Sequence, residues 1–353
     1  MKILIVHELF LPDFAGGGEK LVFETAKHLQ RAGHEVKVIT TGDPNTTSYG
    51  TIPTIRTRRN RYLFNLSFWA IGKQARWADI IQTSTYNAAF PSWVIAKIFR
   101  KPVACLVMSY WGREWRKIRP GVTGNLSRLF ERFTLHRNFD KKIFLSDFSK
   151  SFAIDSGISS KNTVVISPGV NTSLYQPLAK QNIILFSGRF AKQKGVYDFL
   201  EVAKLLPQFK FVMMGWGEEE ASLRKGATPN VTFLNKSIKD EKEFFEQYGK
   251  ALVFFLPSYG ETFGFVLVEA MAARCAVIST IPLGFKGALV EKGNVQQMAQ
   301  EISQLMNNPK TAEKCGLENS KLAEQYTWEN YTQKLVMEYQ KILEKRIQIK
   351  KVL

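Results

Sequence analysis

The chain has 353 residues, more than one ordinary hydrophobic core needs and enough for two. Hydrophobic residues make up 45% and charged residues 23%, which excludes a disordered chain, and no apolar run reaches the roughly 18 residues of a membrane span. The formal net charge is +18, and residues 1–176 hold 25 of the 49 Lys and Arg but only 12 of the 31 Asp and Glu, so the basic surface belongs mostly to the first half.

In chain order, KILIV (2–6) reads as a first strand rather than part of a signal peptide, and EKLVFETAKHLQRAG (19–33) as an amphipathic helix closed by Gly33. Strands are then predicted at 35–40, 78–82, 102–108 and 141–146, with helices over 90–99 and much of 124–138. SPGVNTSLYQP (167–177) is a hinge by composition. Beyond it the alternation restarts. Strands are predicted at 183–188, 210–215, 231–235, 251–257 and 276–280, with helices near 195–206, 218–225, 239–249 and 264–274 and three more at the end. Strictly alternating strands and helices on both sides of a hinge imply two Rossmann-like domains with parallel sheets, facing a central cleft and binding ligands at the carboxyl ends of their strands. The expected domains are 1–170 and 171–328, with a helix over 329–353 packing back toward the first. Cys105, Cys275 and Cys315 are far apart and odd in number, which disfavours a disulfide framework or a CxxC site and fits a reducing cytoplasm. The four histidines share no ligand spacing, so no metal site is expected.

Several turns between these elements carry residues suited to an anionic ligand. Gly17 and Gly18, in LPDFAGGGEK, lie between a strand and a helix, where amides approach a phosphate; a flexible turn would also use them. The spacing is not GxGxxG, which disfavours a nicotinamide cofactor. In SGRFAKQKG, Gly188, Arg189 and Lys194 follow the first strand after the hinge, and two fixed cations there could neutralise a pyrophosphate. Gly215, in GWGEE, ends the next strand. In PSYGETFGFVLVEAMAARC, Glu261 lies in the turn after a strand, and the amides of Phe263, Gly264 and Phe265 open a helix. Glu269 lies inside that helix among apolar neighbours, and a carboxylate there needs hydrogen-bond donors such as a ribose diol.

These pieces, with SDFSKSF (146–152) and SPGVN, resemble the retaining nucleotide-sugar glycosyltransferases of family 4, which have the GT-B fold. The resemblance spans nearly the whole chain, and Glu261 and Glu269 match the family's E-x7-E pair. It implies that Arg189 and Lys194 contact the donor diphosphate, that Glu261 meets the donor sugar, and that Glu269 binds the ribose. The amides of Phe263, Gly264 and Phe265 would complete the anion site, with Gly17 and Gly18 approaching from the other domain. It also implies transfer of a hexose with retention by front-face attack, without metal or cofactor. Consistent with this, the chain has no Asp-x-Asp. Electrostatic stabilisation of the leaving diphosphate would then be the main catalytic contribution, about 3 kcal/mol for one such contact.

The chain departs from the family at three places. Met108-Ser109-Tyr110 stands where the family has a histidine, Arg274 and Ala276 stand where it has Gly and Pro, and about a dozen residues are missing after Thr280. These departures leave open a catalytically impaired sugar-nucleotide-binding protein as the alternative. The partners implied are a UDP- or GDP-linked sugar and a glycan, phosphorylated or lipid-linked acceptor. Basic and aromatic residues interleave at 56–77, 110–120 and 131–137, which suits an anionic membrane surface if Leu63, Phe64, Phe68 and Trp69 are not simply core. Nucleic acid is disfavoured, because no zinc module, RRM signature or recognition-helix pattern is present.

Overall fold

The computed structural model describes residues 1–13, 16–118, 121–235 and 241–352, so parts of the expected glycine loop, of the 110–120 cluster and of the 239–249 helix lie outside the described residues. The chain forms two α/β units, one of Met1–Gly169 with Trp328–Leu353 and one of Val170–Thr327. The division falls one residue from the expected boundary at each end. Val170 N–H donates to the Tyr326 carbonyl within the second unit, and Trp328 stacks on His28 in the first.

The first unit runs β1 (Lys2–Val6), α1 (Gly17–Arg31), β2 (Glu35–Thr41), β3 (Ser48–Tyr49), β4 (Ile52–Thr57), α2 (Phe68–Ala75), β5 (Ile80–Ser84), α3 (Ala89–Ile98), β6 (Val103–Val107), α4 (Trp115–Ile118), α5 (Val122–Leu135), β7 (Lys141–Phe144), α6 (Asp147–Asp155) and β8 (Thr163–Val165). Its sheet has the order β3-β4-β2-β1-β5-β6-β7-β8 and is parallel except for the β3–β4 pair. At its centre β1 after Lys2 and all of β6 are continuous apolar runs, as suits strands covered on both faces. In α1, Leu21, Val22, Ala26 and Leu29 form the buried stripe. Ser146 caps α6 by accepting from the Ser149 amide at 3.2 Å.

The second unit runs β9 (Gln181–Arg189), α7 (Val196–Leu205), β10 (Lys210–Trp216), α8 (Glu220–Gly226), β11 (Val231–Asn235), α9 (Glu241–Lys250), β12 (Ala251–Leu256), α10 (Phe265–Ala272), β13 (Ala276–Ser279), β14 (Gly287–Leu289), α11 (Val295–Asn307) and α12 (Pro309–Ala323). Its sheet is parallel, with the order β11-β10-β9-β12-β13-β14. The last helix, α13 (Trp328–Val352), belongs to the first unit. It inserts Tyr331, Leu335 and Tyr339 into the core there, and Tyr331 meets Thr25 of α1. Among the described residues, no helix is long and apolar enough to cross a membrane.

Candidate functional site

The order of the second sheet places its crevice. From β9 the chain winds outward through β10 to β11, then returns to the other side of β9 as β12 and winds outward through β13 to β14. A ligand crevice is expected where the order reverses, beyond the carboxyl ends of β9 and β12. The residues expected to meet a diphosphate and its sugar stand on these two strand ends. Arg189 is the last residue of β9, and Lys194 ends the 3-10 turn Lys192–Lys194 that follows. Glu261 lies in the loop after β12, and Lys194 Nζ donates to Glu261 Oε1. The two loops also join through backbone, because Tyr259 N–H donates to the Gln193 carbonyl at 2.9 Å. A Cβ at Gly195 would lie 2.0 Å from the Pro257 carbonyl oxygen, so only glycine allows the two loops this close. Arg189 is exposed and pairs with Glu218, its Nη2 3.0 Å from Glu218 Oε2. Each expected cation therefore has a carboxylate partner.

Gly264 takes a left-handed φ of 86° and caps α10. The N-terminus of α10, with the amides of Phe263, Gly264 and Phe265, follows the loop after β12 that carries Glu261. The Phe263 ring is buried against Phe265 and Tyr326, which fixes this turn. Glu269 follows one turn into α10 and is partly buried. Tyr248 Oη donates to its Oε2 at 2.9 Å, and the Tyr175 ring packs edge-on against that of Tyr248, centroids 5.1 Å apart. Sequence reasoning missed Tyr248. The available signal was the demand itself, since a carboxylate on an apolar helix face requires donors from elsewhere in the core.

The glycines at the ends of β9 and β10 have a packing role. A Cβ at Gly215 would sit 1.8 Å from the Gly188 carbonyl oxygen, and one at Gly217 2.3 Å from that of Phe190. These glycines let two strand ends pack on each other. Arg274 holds the left-handed position that closes α10, with φ 58°. Its amide donates to Met271 and the Cys275 amide to Ala270, the paired bonds of a Schellman cap. Lys180 Nζ adds a bond to the Ala273 carbonyl, 2.7 Å away. After Thr280 the chain reaches the parallel strand β14 directly, pairing Val277 with Gly287, where a Cβ would meet the Val277 carbonyl oxygen at 1.9 Å. Asn319 secures this short connection by bonding Lys286 N–H and the carbonyls of Lys286 and Cys275.

The remaining expected residues lie in the first unit. Gly17 and Gly18 form the first turn of α1, where the Glu19 carboxylate accepts from the Gly16 amide at 3.0 Å. That helix end already has one anion of its own. The first sheet reverses between β1 and β5, and their carboxyl ends hold two buried ionisable groups not anticipated from the sequence. Burial and then the Arg61 charge lower the His7 imidazole to about 3, and burial raises the Glu8 carboxyl to about 7. Asn87 bonds Glu8, and His7 Nδ1 bonds Ser84. At the end of β6, the Met108 amide donates to Thr85 Oγ1, and Ser109 pairs with Tyr86. Glu131 accepts from the amides of Trp111 and Gly112 and is raised by burial to about 7. Among the described residues, no group of three or more His, Cys, Asp or Glu could hold a metal ion.

Two family models divide the chain. Residues 15–174 match Glycosyltransferase Family 4, and residues 175–322 match Glycosyl transferases group 1. A glycosyltransferase of Methanocaldococcus jannaschii is 26% identical over 296 residues, covering 80% of each chain. The O-antigen chain mannosyltransferase C of Escherichia coli is 24% identical over 98% of this chain and the whole of that one. Among solved structures, sucrose-phosphate synthase from Thermosynechococcus elongatus superposes with a TM-score of 0.81 at 21% identity, covering 97% of this chain and 99% of that one. Anabaena HepE, in complex with UDP and glucose, gives 0.76 at 18% identity over 96% and 98%.

Proposed function

The chain is a glycosyltransferase with the GT-B fold, and from that premise we propose that it moves a hexose, with retention, from a nucleotide-diphosphate sugar to a glycan, phosphorylated or lipid-linked acceptor. One observation carries the donor reading. Arg189 ends β9, and Lys194, Glu261, the opening amides of α10 and Glu269 lie in the turn, loop and helix that follow β9 and β12, the two strands that flank the reversal of the second sheet. A guanidinium, an ammonium and a helix N-terminus at that place suit a diphosphate, which gathers negative charge as the glycosidic bond breaks. Glu261 would meet the sugar and help hold Lys194, and Glu269 would take the ribose. No metal or other cofactor enters the proposal. The UDP in the HepE structure supports a nucleotide donor, and the O-antigen relative supports a cell-envelope glycan as product.

Acceptor delivery at an anionic membrane surface completes the reading, with the protein in the cytoplasm against the inner leaflet. The support is α5. Val122, Leu126, Leu129 and Phe133 recur along one face of that helix and are 73, 59, 65 and 41% exposed. Arg128 and Arg132 stand beside them, with Trp69 78% exposed on α2. A helix with its apolar residues outward and arginines alongside suits a lipid headgroup layer.

Thermal melting with UDP, GDP and ADP, on wild type and Arg189→Ala, tests the donor site. A ligand that binds only the native state raises the melting temperature by mass action. One nucleotide is expected to stabilise the wild type and to lose most of that effect in the variant. No shift with any of the three would defeat the proposal. Proton NMR of the product formed with the matching sugar then decides retention.

A further inference from the structure

The first sheet reverses between β1 and β5, and a buried polar chain runs across that reversal. His7 and Glu8 follow β1 and are 6 and 2% exposed. Asn87 follows β5, and Asn65 lies in the 3-10 turn Leu63–Leu66. Asn87 Nδ2 donates to Glu8 Oε1 at 3.4 Å, and Asn65 Nδ2 donates to Asn87 Oδ1 at 2.7 Å. An ionised carboxylate only accepts, so it orients both amides, each with its nitrogen toward the Glu8 side and its oxygen away. Glu8 Oε2, Asn65 Oδ1, His7 Nε2 and Arg61 Nε are buried without a hydrogen-bond partner among the described residues. His7 Nδ1, 4.0 Å from Glu8 Oε2, is too far to supply one. Buried polar atoms are costly until something meets them, and a ligand crevice is expected at a sheet reversal. Tyr86, beside Asn87, takes a left-handed φ of 79°, a strain of the kind that gathers at ligand sites.

The chemistry of these atoms selects what fills the place. Glu8 Oε2 and Asn65 Oδ1 can only accept, Arg61 Nε can only donate, and the Nε2 of a neutral His7 does one or the other with its tautomer. An ionised phosphate only accepts and would bring its charge against Glu8. An ammonium only donates and would meet the Arg61 charge, which acts on both His7 and Glu8. A hydroxyl donates and accepts, and neighbouring hydroxyls on a sugar ring do both at several points. We propose that the carboxyl ends of β1 and β5 bind the hydroxyls of a neutral sugar, through Glu8, Asn65, His7 and Arg61. The proposal rests on the transferase reading above and narrows it: the part of the acceptor seated here is an uncharged sugar ring, not a phosphate.

Saturation-transfer NMR titrations test this on the full chain and on Glu8→Gln and Asn65→Ala. The probes are the methyl α-glycosides of glucose, galactose, mannose and N-acetylglucosamine, with methyl phosphate as the anion. Melting temperatures with UDP, GDP and ADP are recorded in parallel. At least one glycoside should bind the wild type, and more tightly than methyl phosphate. Glu8→Gln puts a donor where an acceptor is needed and should weaken that glycoside about tenfold, and Asn65→Ala should weaken it about threefold. Neither variant should change the response to nucleotide. If no glycoside binds, the cluster holds only water and the proposal is wrong. It is equally wrong if both variants bind the glycoside as the wild type does, or if methyl phosphate binds more tightly than every glycoside. Loss of glycoside and nucleotide binding together would assign these residues to the fold instead and overturn it as well. A wild type that binds a glycoside but responds to no nucleotide keeps this site and removes the donor reading.

Discussion

Arg189 and Lys194 each meet a carboxylate of the chain itself, Glu218 and Glu261, and under the proposed function a diphosphate would share or displace these partners. The Arg189–Glu218 pair is solvent-exposed on both sides, and such pairs contribute about 0.2–1 kcal/mol. Glu218→Ala should therefore tighten nucleoside diphosphate binding about 1.4- to fivefold, and Arg189→Ala should weaken it. Titration calorimetry at low salt measures both, and a neutral Glu218→Ala would mean that Arg189 serves no phosphate. The buried carboxyls of the first unit make a second residue-level prediction. Burial holds the Glu8 and Glu131 carboxyls at about 7 in the folded state, above the ordinary 4.5. A raised carboxyl favours the folded state most when protonated, so its contribution is complete below pH 4.5 and is lost as the pH climbs through 7. His7 acts oppositely. Held at about 3, it loses its contribution as the pH falls from 6.5. Glu8→Gln removes one carboxyl and leaves His7 in place. The wild type should gain stability relative to Glu8→Gln as pH falls from 7.5 to 4.5, read by urea unfolding at the two values. An unchanged difference would show that the carboxyl is ionised throughout.

Helix α10 combines a glycine at its left-handed N-cap with an arginine at its left-handed C-terminal position. An L-residue pays about 1 kcal/mol for that conformation, and the Arg274 side chain is exposed, so Arg274→Gly should stabilise the second unit by about that much. Differential scanning calorimetry reads the change, and a loss of stability would mean that the Arg274 side chain makes a contact worth more than the strain. Helix α5 supports a prediction of another kind. With its leucines outward, it should carry the protein onto vesicles of phosphatidylglycerol and phosphatidylcholine at low salt. Leu126→Glu with Leu129→Glu should abolish flotation without lowering the melting temperature, since both side chains already face solvent. Flotation by the double variant equal to wild type would exclude α5 as the lipid-facing element. The sequence pointed to the basic and aromatic stretches but not to how they divide. Phe64 is fully buried and Trp69 almost fully exposed, five residues apart, because a 3-10 turn and then α2 rotate successive aromatics to opposite sides.

The alternation of strands and helices was legible from end to end because parallel strands buried on both faces are unbroken apolar runs, as in KILIV and ALVFFL. The short strands β3, β4, β8 and β14, at or next to the sheet edges, were less so, because half-exposed strands of two to six residues carry little apolar signal. Of the candidate site, the charged residues and glycines could be read from local spacing, whereas Tyr248 could not, since it reaches Glu269 from 21 residues away in sequence. The two-unit division carries the last prediction. The second unit is one continuous segment, Val170–Thr327, and it holds Arg189, Lys194, Glu261 and Glu269 on β9 and on the segments that follow β9 and β12. The first unit is closed by α13, whose Tyr331, Leu335 and Tyr339 are core residues and whose Arg346 and Glu338 pair with Asp140 and Lys141. Ending the chain at Thr327 should strip the first unit of that layer, losing three large buried side chains at about 1.5–3 kcal/mol each, which exceeds half the stability of an ordinary domain. The first unit should then melt early or not fold, while the second keeps its cooperative transition. That transition should still move upward with the nucleotide that stabilises the full chain, though less far if Gly17 and Gly18 contribute to the donor. Calorimetry of the truncated chain with and without nucleotide decides it: a nucleotide response lost together with α13 would mean that the second unit alone does not make the donor site.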